Sequence, residues 1–110
     1  MTELEKAVEA HCTKFNEAVR TGDWSPFVAT FAEDATMAFT NLPVGPYTSR
    51  DSIATAYAEQ PPTDTLTIES VEELDRDTAR VRFEWDSGGP GTMVVRWRNG
   101  EVYRLEITFG

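Results

Sequence analysis

Two hydrophobic periodicities divide the chain, one helical and one typical of β-strands. From Glu3 to Arg20, apolar residues recur every three or four positions, and Gly22 follows the last turn, so this segment predicts an amphipathic helix. Ser25 and Pro26 predict the N-cap and first position of a short helix that continues through Phe31. A third helix is predicted from Ser49 to the Pro61-Pro62 pair, because proline does not allow a helix to continue.

After residue 65 apolar and polar residues alternate, which predicts antiparallel strands with one buried face. A first strand begins near residue 65, and three clear runs follow it at residues 79–86, 93–98 and 102–109. The connectors are residues 75–77, the glycine-rich turn 88–91 and Asn99-Gly100, which is a strong hairpin signal. These four strands form a meander. A further apolar stretch, Ala35–Thr40, lies between the second and third helices and precedes a loop over residues 41–46.

The order of these elements predicts an α+β fold in which residues 1–110 form a single domain. Three N-terminal helices pack on one face of a curved antiparallel sheet, and the result is a cone-shaped barrel. A twisted sheet curves around the helices that cover it. A cavity therefore remains wherever the helices do not fill the concave side, and this is the expected position of a functional site.

Composition narrows the possible partners. The chain is 40% hydrophobic and carries a formal net charge of −9, spread evenly along its length, which disfavours nucleic acids and anionic membranes. No apolar stretch approaches the length of a membrane span, and the N-terminus lacks the pattern of a signal peptide, so we expect a cytoplasmic protein. With Cys12 and His11 as the only cysteine and histidine, we expect no disulfide framework and no metal site. Residues 88–91 lack the lysine and following helix of a phosphate loop, and we expect no cofactor.

Two segments carry a resemblance to a known family. They read KFNEAVRTGDWSPFVATFAEDATMAF, from Lys14 to Phe39, and PVGPYTSRDSIATAYA, from Pro43 to Ala58. Their order of a long helix, a Gly-Asp turn, a second helix, an Asp-Ala turn, a strand and a third helix resembles the nuclear transport factor 2-like superfamily. Within it, the chain is similar to the SnoaL-like or ketosteroid-isomerase-like branch. The resemblance implies the cone-shaped fold, which hosts isomerases, cyclases, dehydratases, hydrolases and non-enzymes.

The resemblance also allows the isomerase residues to be compared position by position. Isomerase chemistry needs a carboxylate base and two proton donors that stabilise an oxyanion. Phe15 stands where the isomerases carry an oxyanion tyrosine, and Phe39, or Leu42 in a shifted alignment, stands where they carry the base. The position of their protonated aspartate falls near Met93. Ketosteroid isomerase activity is therefore not expected.

The remaining candidates describe an apolar cavity wall. Strand parity and the resemblance together predict that a hydrophobic small molecule, such as a polycyclic or ketide-like compound, contacts Phe15, Met37, Phe39, Tyr57, Val81, Phe83, Met93, Val95, Trp97 and Leu105. The alternative is that these side chains fill the cone and leave no cavity. Tyr57 and His11 are the weak candidates for a catalytic role, with His11 placed at the mouth of the pocket. Both side chains could instead be ordinary core residues.

The outer face of the sheet suggests a second function class. Arginines alternate with acidic residues there, which is compatible with cross-strand ion pairs on a solvated face. The resemblance implies instead a homodimer that pairs the two outer faces, with Val94 and Val102 at the centre of the contact. Two hypotheses therefore stand: a small-molecule pocket protein, enzyme or binder, and a homodimeric interaction module without chemistry.

Overall fold

The computed structural model describes residues 2–109, which form three helices and five strands. In chain order these elements are α1 (Glu3–Thr21), α2 (Ser25–Val28), β1 (Phe31–Phe39), α3 (Arg50–Glu59), β2 (Leu66–Asp75), β3 (Thr78–Trp85), β4 (Pro90–Arg98) and β5 (Glu101–Phe109). The strands form one sheet in the order β1-β5-β4-β3-β2. The α+β architecture, with helices on the concave side of a curved sheet, is confirmed.

Helix α1 begins and ends where the sequence predicts. Thr2 caps its N-terminus through a capping box, in which the Thr2 hydroxyl accepts from the Glu5 N–H at 3.1 Å and the Glu5 carboxylate accepts from the Thr2 N–H at 3.0 Å. Gly22 closes the C-terminus in the left-handed conformation, with φ of 79°. The buried stripe of the helix faces the sheet and consists of Leu4, Val8, His11, Cys12, Phe15 and Ala18.

The second helix is shorter than predicted. It ends at Val28, and Phe31 begins strand β1 instead of ending the helix, so the strand starts four residues before the predicted stretch. Phe31 pairs with Val102, and the Thr30 carbonyl accepts from the Val102 N–H at 2.8 Å. These contacts across the sheet outweigh the local helical signal. Ser25 is not the N-cap either: Trp24 holds that position.

The four-stranded antiparallel meander is confirmed, and β1 extends it by pairing with β5 in parallel. One prediction about its faces is wrong. The register between β4 and β5 shifts so that Trp97 pairs with Val102 while Arg96 pairs with Arg104, which leaves Tyr103 as the extra residue of a bulge. The bulge turns Val102 inward, where it is 1% exposed, so Val102 cannot lie at the centre of an outer-face contact.

A second boundary also differs from the prediction. Pro90 and Gly91, assigned to the turn by their composition, begin strand β4 and pair with Glu84 and Phe83.

Asn16 of helix α1 is hydrogen-bonded to edge strand β2 of the sheet. The Asn16 side-chain amide donates to the Leu66 carbonyl and accepts from the Leu66 N–H, both at 2.9 Å. A helix side chain thus supplies the hydrogen bonds that a neighbouring strand would otherwise make.

Candidate functional site

A cavity of about 390 Å³ lies between the concave face of the sheet and helices α1, α2 and α3. Its volume falls within the range of small-molecule sites, which is about 300–1,000 Å³. The cone is therefore not filled by its own side chains. The cavity is lined by His11, Cys12, Phe15, Phe27, Met37, Phe39, Leu42, Val44, Tyr47, Ala56, Tyr57, Gln60, Pro62, Thr63, Asp64, Leu66, Phe83, Trp85, Met93, Leu105, Ile107 and Phe109.

Most of the residues predicted for the cavity wall reach it. Seven of the ten do so: Phe15, Met37, Phe39, Tyr57, Phe83, Met93 and Leu105. The other three do not line it. Val81 and Val95 are at most 1% exposed and pack in the core outside the cavity. The prediction was wrong for them because the inward parity of a residue does not tell how far along its strand the cavity extends. Trp97 lines a separate surface groove beside the N-terminal half of α1.

Sequence reasoning missed several lining residues whose positions carried a usable signal. Trp85, Ile107 and Phe109 share the inward parity of Phe83 and Leu105, so the same alternation would have found them. Phe27 and Cys12 could not be found in this way, since they reach the cavity from helices whose orientation depends on tertiary packing.

The wall of the cavity is aromatic along much of its length. The rings of Trp85 and Phe109 are stacked with centroids 5.9 Å apart, and Phe39 continues the stack at 5.8 Å from Phe109. On the helical side, the Tyr57 ring stacks on Trp24 at 4.6 Å and meets the edge of Phe27 at 5.3 Å. Such a wall suits a planar apolar ligand, because aromatic rings stack favourably at these separations.

Tyr57 contributes a hydroxyl group to this apolar surface. The side chain is 6% exposed, and its hydroxyl donates to the Met37 thioether sulfur at 3.4 Å. Burial raises the pKa of the Tyr57 phenol far above its ordinary value, so the group stays neutral and remains a hydrogen-bond donor. A thioether is a weak acceptor. A ligand oxygen in the cavity can therefore replace Met37 as the partner of this donor.

His11 is inside the cavity wall and not at its mouth, contrary to the prediction. It is 6% exposed and packs against the rings of Phe27 and Phe31, with centroids 5.1 and 6.1 Å away. Its Nδ1 atom is buried and has no hydrogen-bond partner among the described residues. Burial lowers the pKa of His11 to about 4, so the imidazole is neutral near pH 7.

Cys12, the neighbour of His11, is also part of the wall. Burial raises the pKa of its thiol to about 12, and the thiolate is therefore scarce near neutral pH. Because the thiolate is the reactive form, Cys12 contributes apolar surface and no nucleophile.

The mouth of the cavity is bordered by the loop between β1 and α3. Tyr47 fixes one end of this loop through two backbone hydrogen bonds with Met37, each 2.8 Å long. Asn41 fixes the other end, where its side chain accepts from the Phe109 N–H at 3.1 Å and donates to the Phe109 carbonyl. Between these anchors Leu42 and Val44 line the cavity and are 43% and 41% exposed. The entrance is therefore apolar.

The cavity lining contains no lysine or arginine, and Asp64 is its one carboxylate. Asp64 accepts hydrogen bonds from the backbone and hydroxyl of Ser87. Residues 2–109 hold no group of three or more histidine, cysteine, aspartate or glutamate side chains placed to bind a metal ion. The lining is thus largely apolar, with few polar groups and no positive charge. None of the helices within this range combines the length and apolar character needed to cross a bilayer.

The three positions compared with ketosteroid isomerases all belong to this wall. Phe15 and Met93 are buried, and Phe39 is partly buried. Each therefore presents an apolar side chain to the cavity.

Solved structures with the same fold come from varied sources. A candidate isomerase from Bacillus subtilis has a TM-score of 0.80 at 19% identity, covering 100% of this chain and 90% of that one. An NTF2-like protein of unknown function from Burkholderia xenovorans LB400 has a TM-score of 0.75 at 13% identity, covering 99% and 87%. A de novo designed protein with a curved β-sheet reaches 0.71 at 13% identity, covering 100% and 88%. At these identities the similarity establishes the fold alone.

Sequence comparison adds the family. No curated protein sequence matches this chain significantly. The sequence profile of the SnoaL-like domain matches residues 12–107, from the middle of α1 to within two residues of the end of β5. The chain therefore belongs to the SnoaL-like domain family, within the nuclear transport factor 2-like superfamily.

Proposed function

We propose that this protein binds a neutral, largely apolar small molecule with a planar ring system in the cavity between the sheet and the helices. The observation that carries the proposal is a cavity of about 390 Å³ whose wall consists mainly of aromatic and aliphatic side chains. Burial of apolar surface at about 25 cal/mol per Å² supplies the affinity. A polycyclic or ketide-like compound fits this description.

The charge of the wall supports a neutral ligand. A carboxylate or phosphate in this cavity would lose its hydration and find no lysine or arginine among the lining residues. His11 offers no positive charge either, since its pKa of about 4 keeps the imidazole neutral. Anionic analogues should therefore bind much more weakly than neutral ones.

Tyr57 gives the proposed ligand an orientation. Its hydroxyl, held by the weak acceptor Met37, would donate to a carbonyl or hydroxyl oxygen of the ligand. A neutral hydrogen bond of this kind contributes about 0.5–1.5 kcal/mol, or roughly two- to tenfold in affinity. If the ligand is also transformed, Tyr57 and His11 are the two candidates for a catalytic role among the polar residues of the lining, and we expect Tyr57→Phe to impair that reaction more than His11→Ala.

Three planar tricyclic probes test this proposal: fluorene, fluorenone and fluorene carboxylate. They share one ring system and differ in the presence of a carbonyl or a charge. Quenching of tryptophan fluorescence reports binding because Trp85 lines the cavity. For a ligand of this size we expect a Kd on the order of 10–100 μM for fluorenone.

The order of affinities decides the outcome. We expect fluorenone to bind more tightly than fluorene, and the carboxylate to bind least. In Tyr57→Phe the advantage of fluorenone over fluorene should disappear while fluorene affinity stays unchanged, because only the hydroxyl is lost. Tightest binding of the carboxylate, or no binding of either neutral probe, would contradict the proposal.

A further inference from the structure

The ring of Phe83 lies directly against the backbone of Gly91, its cross-strand neighbour. A Cβ atom at position 91 would come within 2.3 Å of Phe83 Cζ and 2.6 Å of Cε2, well inside van der Waals contact. Gly91 is buried and lies two residues before Met93, so any side chain at position 91 would point to the concave face. Only glycine permits this close approach between ring and backbone.

Phe83 also belongs to the wall of the cavity. It is 2% exposed, and its ring meets the ring of Trp85 in an edge contact at 5.3 Å. On the other side of Gly91, the cross-strand neighbour is Phe109, which also lines the cavity. Gly91 therefore lies beneath the aromatic wall, and the space that its missing side chain leaves is occupied by Phe83.

We propose that Gly91 sets the size of the ligand that the cavity accepts, because it allows Phe83 to lie back against the sheet. The inference rests on the proposed function, since it concerns the same cavity. A methyl group at position 91 would take the place of the far end of the Phe83 ring. The contact with Trp85 blocks one direction of movement, so the displaced ring enters the cavity and shortens it.

Two planar ketones of different size test this inference in the Gly91→Ala variant. Indanone has two fused rings and fluorenone has three, and both carry the carbonyl that Tyr57 would bind. We expect fluorenone affinity to fall by about tenfold or more, as in other overpacked sites. Indanone affinity should change by no more than about twofold, because the smaller ketone leaves room for the displaced ring. Thr92→Ala, at the next position on the outer face, is the matched control and should bind both ketones as the wild type does.

A second substitution separates loss of space from loss of folding. Adding Phe83→Leu to Gly91→Ala removes the ring that the new methyl group displaces. We expect the double variant to recover fluorenone affinity to within about threefold of the wild type, since the two positions are in contact and their effects are coupled. An equal loss for both ketones in Gly91→Ala, or no recovery in the double variant, would overturn the inference. If Gly91→Ala alone fails to fold, folding of the double variant supports the inference and its failure refutes it.

The crystal structure of Gly91→Ala tests the inference without any ligand. The expected result is a Phe83 ring turned into the cavity, with a cavity volume below the wild-type value of about 390 Å³. A ring that stays in place while strand β4 moves outward would overturn the inference. If the wild type binds neither ketone, the proposed function fails, and this structure still decides whether Gly91 sets the cavity size.

Discussion

The buried imidazole of His11 makes the stability of the fold depend on pH. In the folded chain burial lowers the pKa of His11 to about 4, whereas the exposed side chain in the unfolded chain keeps a pKa near 6.5. Between these two values the unfolded chain binds a proton that the folded chain does not bind. Protonation of His11 therefore does not reduce the free energy of unfolding above pH 6.5, and this free energy decreases as the pH falls toward 4.

The size of this effect follows from the same two values. At 1.36 kcal/mol per pKa unit, the gap between 6.5 and about 4 corresponds to about 3 kcal/mol. Of this amount, about 2 kcal/mol is lost between pH 7 and pH 5. Hydrogen bonds lower the pKa values of the Asp34, Asp75 and Asp86 carboxylates below their ordinary value of 3.8, so the stability they contribute is lost only as the pH falls toward and below 3.8, outside this window.

Urea unfolding of the wild type and His11→Leu at pH 7, 6 and 5 measures the effect. We expect the wild type to lose about 2 kcal/mol and the variant to change by less than about 0.5 kcal/mol over this range. At pH 7 the variant should be at least as stable, since it no longer buries an unpartnered Nδ1 atom. His11 is the one histidine of the chain, so its ring proton resonances give an unambiguous titration. An equal pH dependence in both proteins, or a His11 that titrates near pH 6.5 in the folded chain, would refute this reasoning.

Two further results are expected. Asn16→Ala should lower the free energy of unfolding by about 2–3 kcal/mol in thermal or urea unfolding, because it leaves the N–H and carbonyl of Leu66 without partners. Glu17→Ala, on the exposed side of the same helix, should change it by less than about 0.5 kcal/mol. Light scattering tests the homodimer predicted from the outer sheet face. A particle of twice the chain mass that dissociates in Val94→Glu is expected, and a monomeric wild type contradicts the prediction.

The fold was largely predictable because its main signals are local. The capping box and Gly22 define α1, and the alternation around Phe83 and Met93 defines strands with one buried face. The errors occurred where contacts between distant residues decide the structure. Phe31 joins the sheet through Val102, and the extra residue Tyr103 reverses which side of β5 is buried at that point.

The candidate site was predictable in its chemistry and less so in its extent. Alternation placed Met93 and Val95 on the same inward face, but alternation does not tell how far along β4 the cavity extends, and Met93 reaches it while Val95 does not. The role of Gly91 was hidden for a similar reason. Its sequence context, directly after Gly88-Gly89-Pro90, is typical of a turn, and the contact with the Phe83 ring becomes visible only in the paired strands.

Methyl NMR during titration with fluorenone shows whether the cavity binds a neutral planar molecule. Met37, Met93 and Leu105 line the cavity, whereas Val8 and Val102 are equally buried outside it and serve as internal controls. We expect saturable shifts of the methyl signals of Met37, Met93 and Leu105, with little change at the two valines. Shifts at the valines alone, shifts confined to surface residues, or no shifts at saturating fluorenone would contradict the proposed function.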